Sequence, residues 1–147
     1  MTIEPDVTAY NWVHNNFMDT QGNECVEAKE GTEYNIIEYN IRTGQKDPNS
    51  GGIVSRGKGN IIRYNEIYDS VGAGVRLGGR FVDGIQYGVE NEVYGNLING
   101  NQAGGIKILV DEQGSICGNG VWDNLAGDAS GTFGDNYDPA APCTSGT

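Results

Sequence analysis

Aliphatic residues recur along this chain at a fixed distance ahead of asparagines. Val13, Ile37, Ile62, Val93 and Ile116 each stand three residues before Asn16, Asn40, Asn65, Asn96 and Asn119. Four of these asparagines have another five residues earlier, at Asn11, Asn35, Asn60 and Asn91, and Gly114 holds that place in the last repeat. Successive repeats are offset by 24, 25, 31 and 23 residues. Within a repeat the polarity alternates with a period of two, so that in the segment 35–40 Ile37 faces inward and Glu38 outward. Short alternating segments, punctuated by asparagine and glycine turns at this interval, predict a solenoid of stacked strands. Asparagine tolerates the left-handed backbone of a sharp corner, and its amide can hydrogen-bond from coil to coil, so these residues read as a structural ladder.

A second alternating segment follows each corner: Val26-Glu27-Ala28, Ile53-Val54-Ser55, Val75-Arg76-Leu77 and Ile106-Lys107-Ile108. The first and third residues point inward and the middle one outward. The predicted fold is all-β, a right-handed parallel β-helix of about five coils with an asparagine ladder; the hand follows from the crossover rule. The coil pattern runs over 1–125, and 126–147 reads as an irregular, glycine-rich tail. Extra residues in the loop 47–52 and around 80–86 predict insertions on one flank, where solenoids commonly bind ligands. Residues 1–10 enter the repeat without a capping segment. This suggests a fragment with flanking coils missing, or a solenoid prone to end-to-end self-association through exposed strand edges.

Net charge is −11, which argues against nucleic acid or an anionic membrane as partner, and no apolar run is long enough to span a bilayer. Of the three cysteines, Cys143 lies in a tail able to fold back on Cys117 in the last coil. A bridge between them leaves Cys25 as a buried thiol or as one whose partner lies elsewhere; three thiols are the alternative.

Six of the nine basic residues nevertheless fall on or beside one flank. Lys29 lies two residues beyond the outward Glu27, and Arg56 two beyond the outward Val54, so both leave the same sheet on adjacent coils about 4.8 Å apart. Two cations at that separation call for anions close by, which Glu24, Glu27 and Glu30 or an anionic ligand can supply. Arg76 and Lys107 continue the row, with Lys58 and Arg80 in nearby loops. A solvated face of alternating charge accounts for the same residues. Tyr39 and Tyr64 occupy equivalent positions on adjacent coils, as sugar-stacking rings or as rings that brace the coils.

The segments Glu24-Cys-Val-Glu-Ala-Lys29, Gly52-Ile-Val-Ser-Arg56-Gly57 and Gly72-Ala-Gly-Val-Arg76-Leu-Gly-Gly79 together resemble the parallel β-helix polysaccharide lyases, the group that includes chondroitinase B and alginate lyases. The match covers roughly residues 20–80 at motif level. The resemblance implies Glu24 as a calcium ligand, Lys29 as the Brønsted base and Arg56 as the assisting acid. It implies a further acidic ligand where Gly22 stands, with Glu27 the nearest substitute, and a histidine where Gly57 follows Arg56. Arg76, Lys107, Arg80, Tyr39 and Tyr64 become candidate substrate contacts. The implied protein is secreted, uses calcium to neutralise the carboxylate of an acidic polysaccharide, and cleaves that polymer by β-elimination. The alternative is a non-catalytic β-helix module that binds glycan or builds an extracellular assembly.

Overall fold

The computed structural model describes residues 8–144 in full and the backbone of residues 2–3. Most of the abrupt entry expected over residues 1–10 therefore lies outside the described residues, as does the end of the tail at 145–147.

Each coil gives one strand to each of three parallel walls, so the chain is the expected parallel β-solenoid. Wall 1 contains Trp12–His14, Ile36–Glu38, Ile61–Arg63, Glu92–Tyr94 and Ile116–Cys117. Wall 2 contains Phe17–Asp19, Ile41–Thr43, Glu66–Tyr68, Leu97–Asn99 and Gly120–Trp122. Wall 3 contains Thr2–Ile3, Val26–Ala28, Gly51–Ser55, Ala73–Leu77, Ile106–Ile108 and Ala129–Ser130. The aliphatics of the repeat stack in register as one column, Val13–Ile37–Ile62–Val93–Ile116, and with Ile67 and Ile98 of wall 2 and the inward residues of wall 3 they form the core.

The asparagines bind these coils together through a repeated pattern. Each ladder residue donates its backbone N–H to the side-chain oxygen on the next coil: Asn16 to Asn40 at 3.0 Å, Asn40 to Asn65 at 3.0 Å, Asn65 to Asn96 at 2.9 Å and Asn96 to Asn119 at 3.0 Å. The amide nitrogen reaches back to the preceding coil's aliphatic carbonyl, as Asn65 does to Ile37 at 3.0 Å. The residue three positions ahead of each asparagine is aliphatic because its side chain fills the buried column. The first ladder, from Asn11 to Asn91, does not stop at Gly114. Gln113 takes that rung, its longer amide accepting from Asn91 N–H at 3.2 Å. A third ladder, Ser70–Asn101–Asn124, runs along the corner between walls 2 and 3.

One core column breaks the polarity rule. Arg42 lies in register between Met18 and Ile67 and is fully buried. Its guanidinium donates to Ser70 Oγ at 2.7 Å, to the Tyr68 carbonyl at 3.1 Å and to Cys25 Sγ at 3.5 Å, and Nη2 has no acceptor among the described residues. None of these partners is a carboxylate, so the charge is held by dipoles alone, a costly arrangement. A side chain at Gly52 would collide with this guanidinium, which fixes glycine there.

The segment after Asn124 adds the strand Ala129–Ser130 to wall 3 and then folds across the last coil. The Pro139 carbonyl accepts from both the backbone and the amide N–H of Asn119 at 3.1 Å, taking the place of a further ladder asparagine. Tyr137 Oη accepts from Gln113 N–H at 3.0 Å and donates to Asp111 at 2.7 Å. The Cys117–Cys143 disulfide, across 26 residues, ties this cap down. Closing a loop of that length removes unfolded-state entropy equivalent to roughly 3–4 kcal/mol. Replacing both cysteines by serine should therefore lower the unfolding free energy by that amount and shift the denaturant midpoint down accordingly, in equilibrium unfolding followed by tryptophan fluorescence.

Candidate functional site

Wall 3 positions the charged residues through its ladder register. Glu27, Val54, Arg76 and Lys107 pair successively across four adjacent strands, so the outward row is the one expected from the alternation. Val54 departs from that expectation in one respect. It points outward yet is fully buried, because the long side chains of Glu27 and Arg76 flank it on either side. Ala28 pairs with Ser55, and Arg56 N–H donates to the Ala28 carbonyl at 2.7 Å, which aligns Lys29 beside Arg56 on the same outward face.

Around this row, four cations (Lys29, Arg56, Arg76, Arg80) and three carboxylates (Glu24, Glu27, Glu30) act on one another electrostatically. Arg56 Nε lies 3.3 Å from Glu27 Oε1, an ion pair whose angle does not make a hydrogen bond. Arg76 donates from Nη1 to the Gly78 carbonyl at 3.3 Å, and its buried Nε has no acceptor among the described residues. Burial, and then the charge of Arg56, push the Arg76 pKa down. Burial also raises the Glu27 pKa, with Glu24 adding to the effect, and this outweighs the opposing pull of Arg56 and Lys29.

Both insertions foreseen in the sequence border this cluster. In the loop 47–52, Ser50 Oγ donates to Glu24 Oε1 at 2.5 Å. The second insertion is an antiparallel hairpin, Phe81–Val82 against Ile85–Gln86, whose base brings Arg80 to Glu30. Glu30 Oε2 accepts from the Arg80 backbone at 3.2 Å and lies 3.5 Å from Arg80 Nε. Burial disfavours the charged Glu30 carboxylate, but backbone N–H donors and the charges of Arg56 and Arg80 prevail and hold its pKa below the ordinary value. Ser50 carried no signal in the sequence beyond its place in an insertion.

The remaining candidates divide between this wall and other parts of the surface. Lys107 follows Arg76 in the row. Lys58 turns away to Glu90, 3.7 Å distant. Tyr39 and Tyr64 stand at the corner between walls 1 and 2, which wall 3 does not share, and their rings stack at 5.4 Å with 25° between planes. Tyr64 also lies over Gly95 and meets Tyr94 edge-on at 5.7 Å. One face of Tyr39 and both faces of Tyr64 are thus turned toward neighbouring coils.

Among the described residues no three His, Cys, Asp or Glu side chains gather closely enough to hold a metal ion. Glu24 is engaged by Ser50, Glu27 by Arg56 and Glu30 by Arg80. Among the described residues these carboxylates do not fit a calcium site.

The raised Glu27 pKa gives a signed expectation. The folded chain holds this proton more tightly than the unfolded chain, so the contribution to stability is largest at low pH and declines as pH rises above 4.5 through the folded pKa. Glu27→Gln keeps the shape and removes the ionisation. The stability lost between pH 4.5 and 7 should be smaller in this variant than in the wild type, as read from urea midpoints at the two pH values.

No family model matches this chain, and neither a curated protein nor a solved structure matches it.

Proposed function

We propose that wall 3 binds an acidic polysaccharide and cleaves it by β-elimination, in the manner of the lyases the sequence resembles. The observation carrying this reading is the register that aligns Lys29 and Arg56 on adjacent coils, inside a cation-rich cluster on an acidic protein. The Lys29 amine, in its neutral form, takes the proton from the carbon beside the uronate carboxylate. That electron pair becomes the new carbon–carbon double bond. The glycosidic C–O bond on the neighbouring carbon then breaks, and its electrons leave on oxygen. Arg56 stays protonated, stabilises that oxygen electrostatically, and solvent supplies its proton. The Cys117–Cys143 bridge supports a secreted location, since such bonds persist in oxidising surroundings.

A second reading, a glycan-binding module without turnover, is favoured by the Glu27–Arg56 ion pair, which occupies the assisting guanidinium. Incubation with alginate, chondroitin, dermatan sulfate and pectate, with calcium and with chelator, separates the two. Ultraviolet absorbance from unsaturated uronate ends should grow with at least one polymer. Retention on a polymer without absorbance would leave the binding module, and neither signal would end both readings.

A further inference from the structure

We propose that Arg56 and Arg76 form a metal-independent pocket for a uronate carboxylate, and that Glu27 fills this pocket in the unliganded protein as an internal competitor. The inference rests on the reading of wall 3 as an acidic-glycan surface, and it names the group that surface grips.

It starts from an imbalance in hydrogen bonding. Buried N–H groups in native proteins are almost always paired, and an unpaired one marks strain or a missing partner. Here two such groups, Arg56 Nε and Arg76 Nε, lie on adjacent coils of one wall. The two guanidiniums act on each other unfavourably. Of the three carboxylates that the described residues bring to the cluster, Glu24 accepts from Ser50 and Glu30 is bound to Arg80, so both reach Arg76 through their charge and not through a hydrogen bond. Among the described residues Glu27 is the carboxylate in ion-pair range of this pair, and it approaches Arg56 at 3.3 Å without the angle of a hydrogen bond. Tethered to the wall by its own backbone, Glu27 neutralises charge but leaves both Nε donors unmet.

A carboxylate arriving from solution has no such tether. It can present two oxygens in the plane of a guanidinium fork, the geometry in which arginine binds best. A guanidinium has five N–H donors, so Arg56 can give its Nε edge to the carboxylate and an outer nitrogen to the glycosidic oxygen. The protein's own occupant is a carboxylate, which favours a uronate over a sulfate ester as the displacing group. Cationic neutralisation at this position also removes the need for the metal that the resembling lyases imply, in keeping with the lack of converging carboxylates among the described residues. Burial and the charge of Glu24 push the Glu27 pKa up, a sign that this occupant is held at a cost.

The experiment is calorimetric titration of the full chain with an unsulfated uronate tetrasaccharide from alginate, in EDTA and in calcium. A sulfated neutral tetrasaccharide forms the second arm. Uronate binding should be the same in both buffers and stronger than sulfate-ester binding. Glu27→Gln removes the competitor and should tighten binding about tenfold, because the binding-competent fraction rises. Glu66→Gln makes the same charge change on wall 2 and should alter affinity by less than about twofold after screening. Arg76→Gln should weaken binding by at least about tenfold. Arg76→Lys, which keeps the charge and loses the fork, should also weaken it, with circular dichroism verifying the fold of each variant. Binding abolished by EDTA, or Glu27→Gln indistinguishable from Glu66→Gln, or indifference to both Arg76 variants, would overturn the pocket while leaving an acidic-glycan surface standing. Preference for the sulfated arm would overturn the carboxylate assignment. No binding of either sugar by any variant would remove the wall 3 reading, and the pocket with it.

Discussion

Asn65→Ala should cost roughly 4 kcal/mol or more, enough to leave the chain largely unfolded at moderate urea. Asn65 sits in the middle of the ladder and is 1% exposed. Its side-chain oxygen accepts from Asn40 N–H at 3.0 Å and from the Asn40 amide at 3.1 Å, and its own amide donates to Ile37 O and Asn96 Oδ1, both at 3.0 Å. Truncation strips the Asn40 N–H and the Ile37 carbonyl, both buried on the preceding coil, of these bonds, and water cannot reach either. Asn16→Ala is the control. Asn16 makes the same forward bonds to Asn40, at 3.0 Å for both N–H groups, but its rung is exposed. Water can replace what is lost there, so the cost should be about 1 kcal/mol. Urea denaturation of both variants measures the difference. Equal effects would mean that the ladder stabilises through corner conformation alone, with little from its hydrogen bonds.

The same contrast explains what could be read from the sequence. Coil number, wall order and the outward row of wall 3 follow from the asparagine spacing, because a ladder fixes register and register fixes which side chains share a face. That Lys29 and Arg56 neighbour each other on adjacent coils was legible for that reason. The third ladder was not, since its first described rung is Ser70, and a serine five residues after an asparagine carries no repeat signal. Gln113 escaped because an amide one bond longer can serve the rung from one residue earlier. Arg42 went unread for a different reason. Its position in the alternation is inward, whereas its charge reads as outward; the coil resolves the conflict by supplying dipoles and a bare Gly52. Within the site, the pairings of Glu24 with Ser50 and Glu30 with Arg80 depend on how two insertions fold back, and insertions break the periodicity on which every other inference rests. Tyr39 and Tyr64 were correctly equivalent but lie on a corner away from wall 3, because a residue immediately before a ladder asparagine occupies the turn itself, with φ of 55° and 57°.

If wall 3 carries out elimination, Lys29→Ala should lower kcat by about 10²–10⁴-fold, the range associated with removing a general base. Binding should weaken far less. Arg56, Arg76 and Arg80 still offer a planar charged surface, so KM should move by less than about tenfold. The decisive variant is Lys29→Arg. It restores the positive charge beside Glu27, on which the Lys29 charge acts, and it supplies more donors than the lysine. A guanidinium does not give up its proton in a protein, so it cannot accept one from the sugar. Lys29→Arg should therefore bind polyuronate as the wild type does and turn it over no faster than Lys29→Ala. Activity near the wild-type level in Lys29→Arg would assign Lys29 an electrostatic role and leave the proton to be taken by another group or by solvent. In that case Glu27, the carboxylate with the raised pKa in the same row, is the next residue to test.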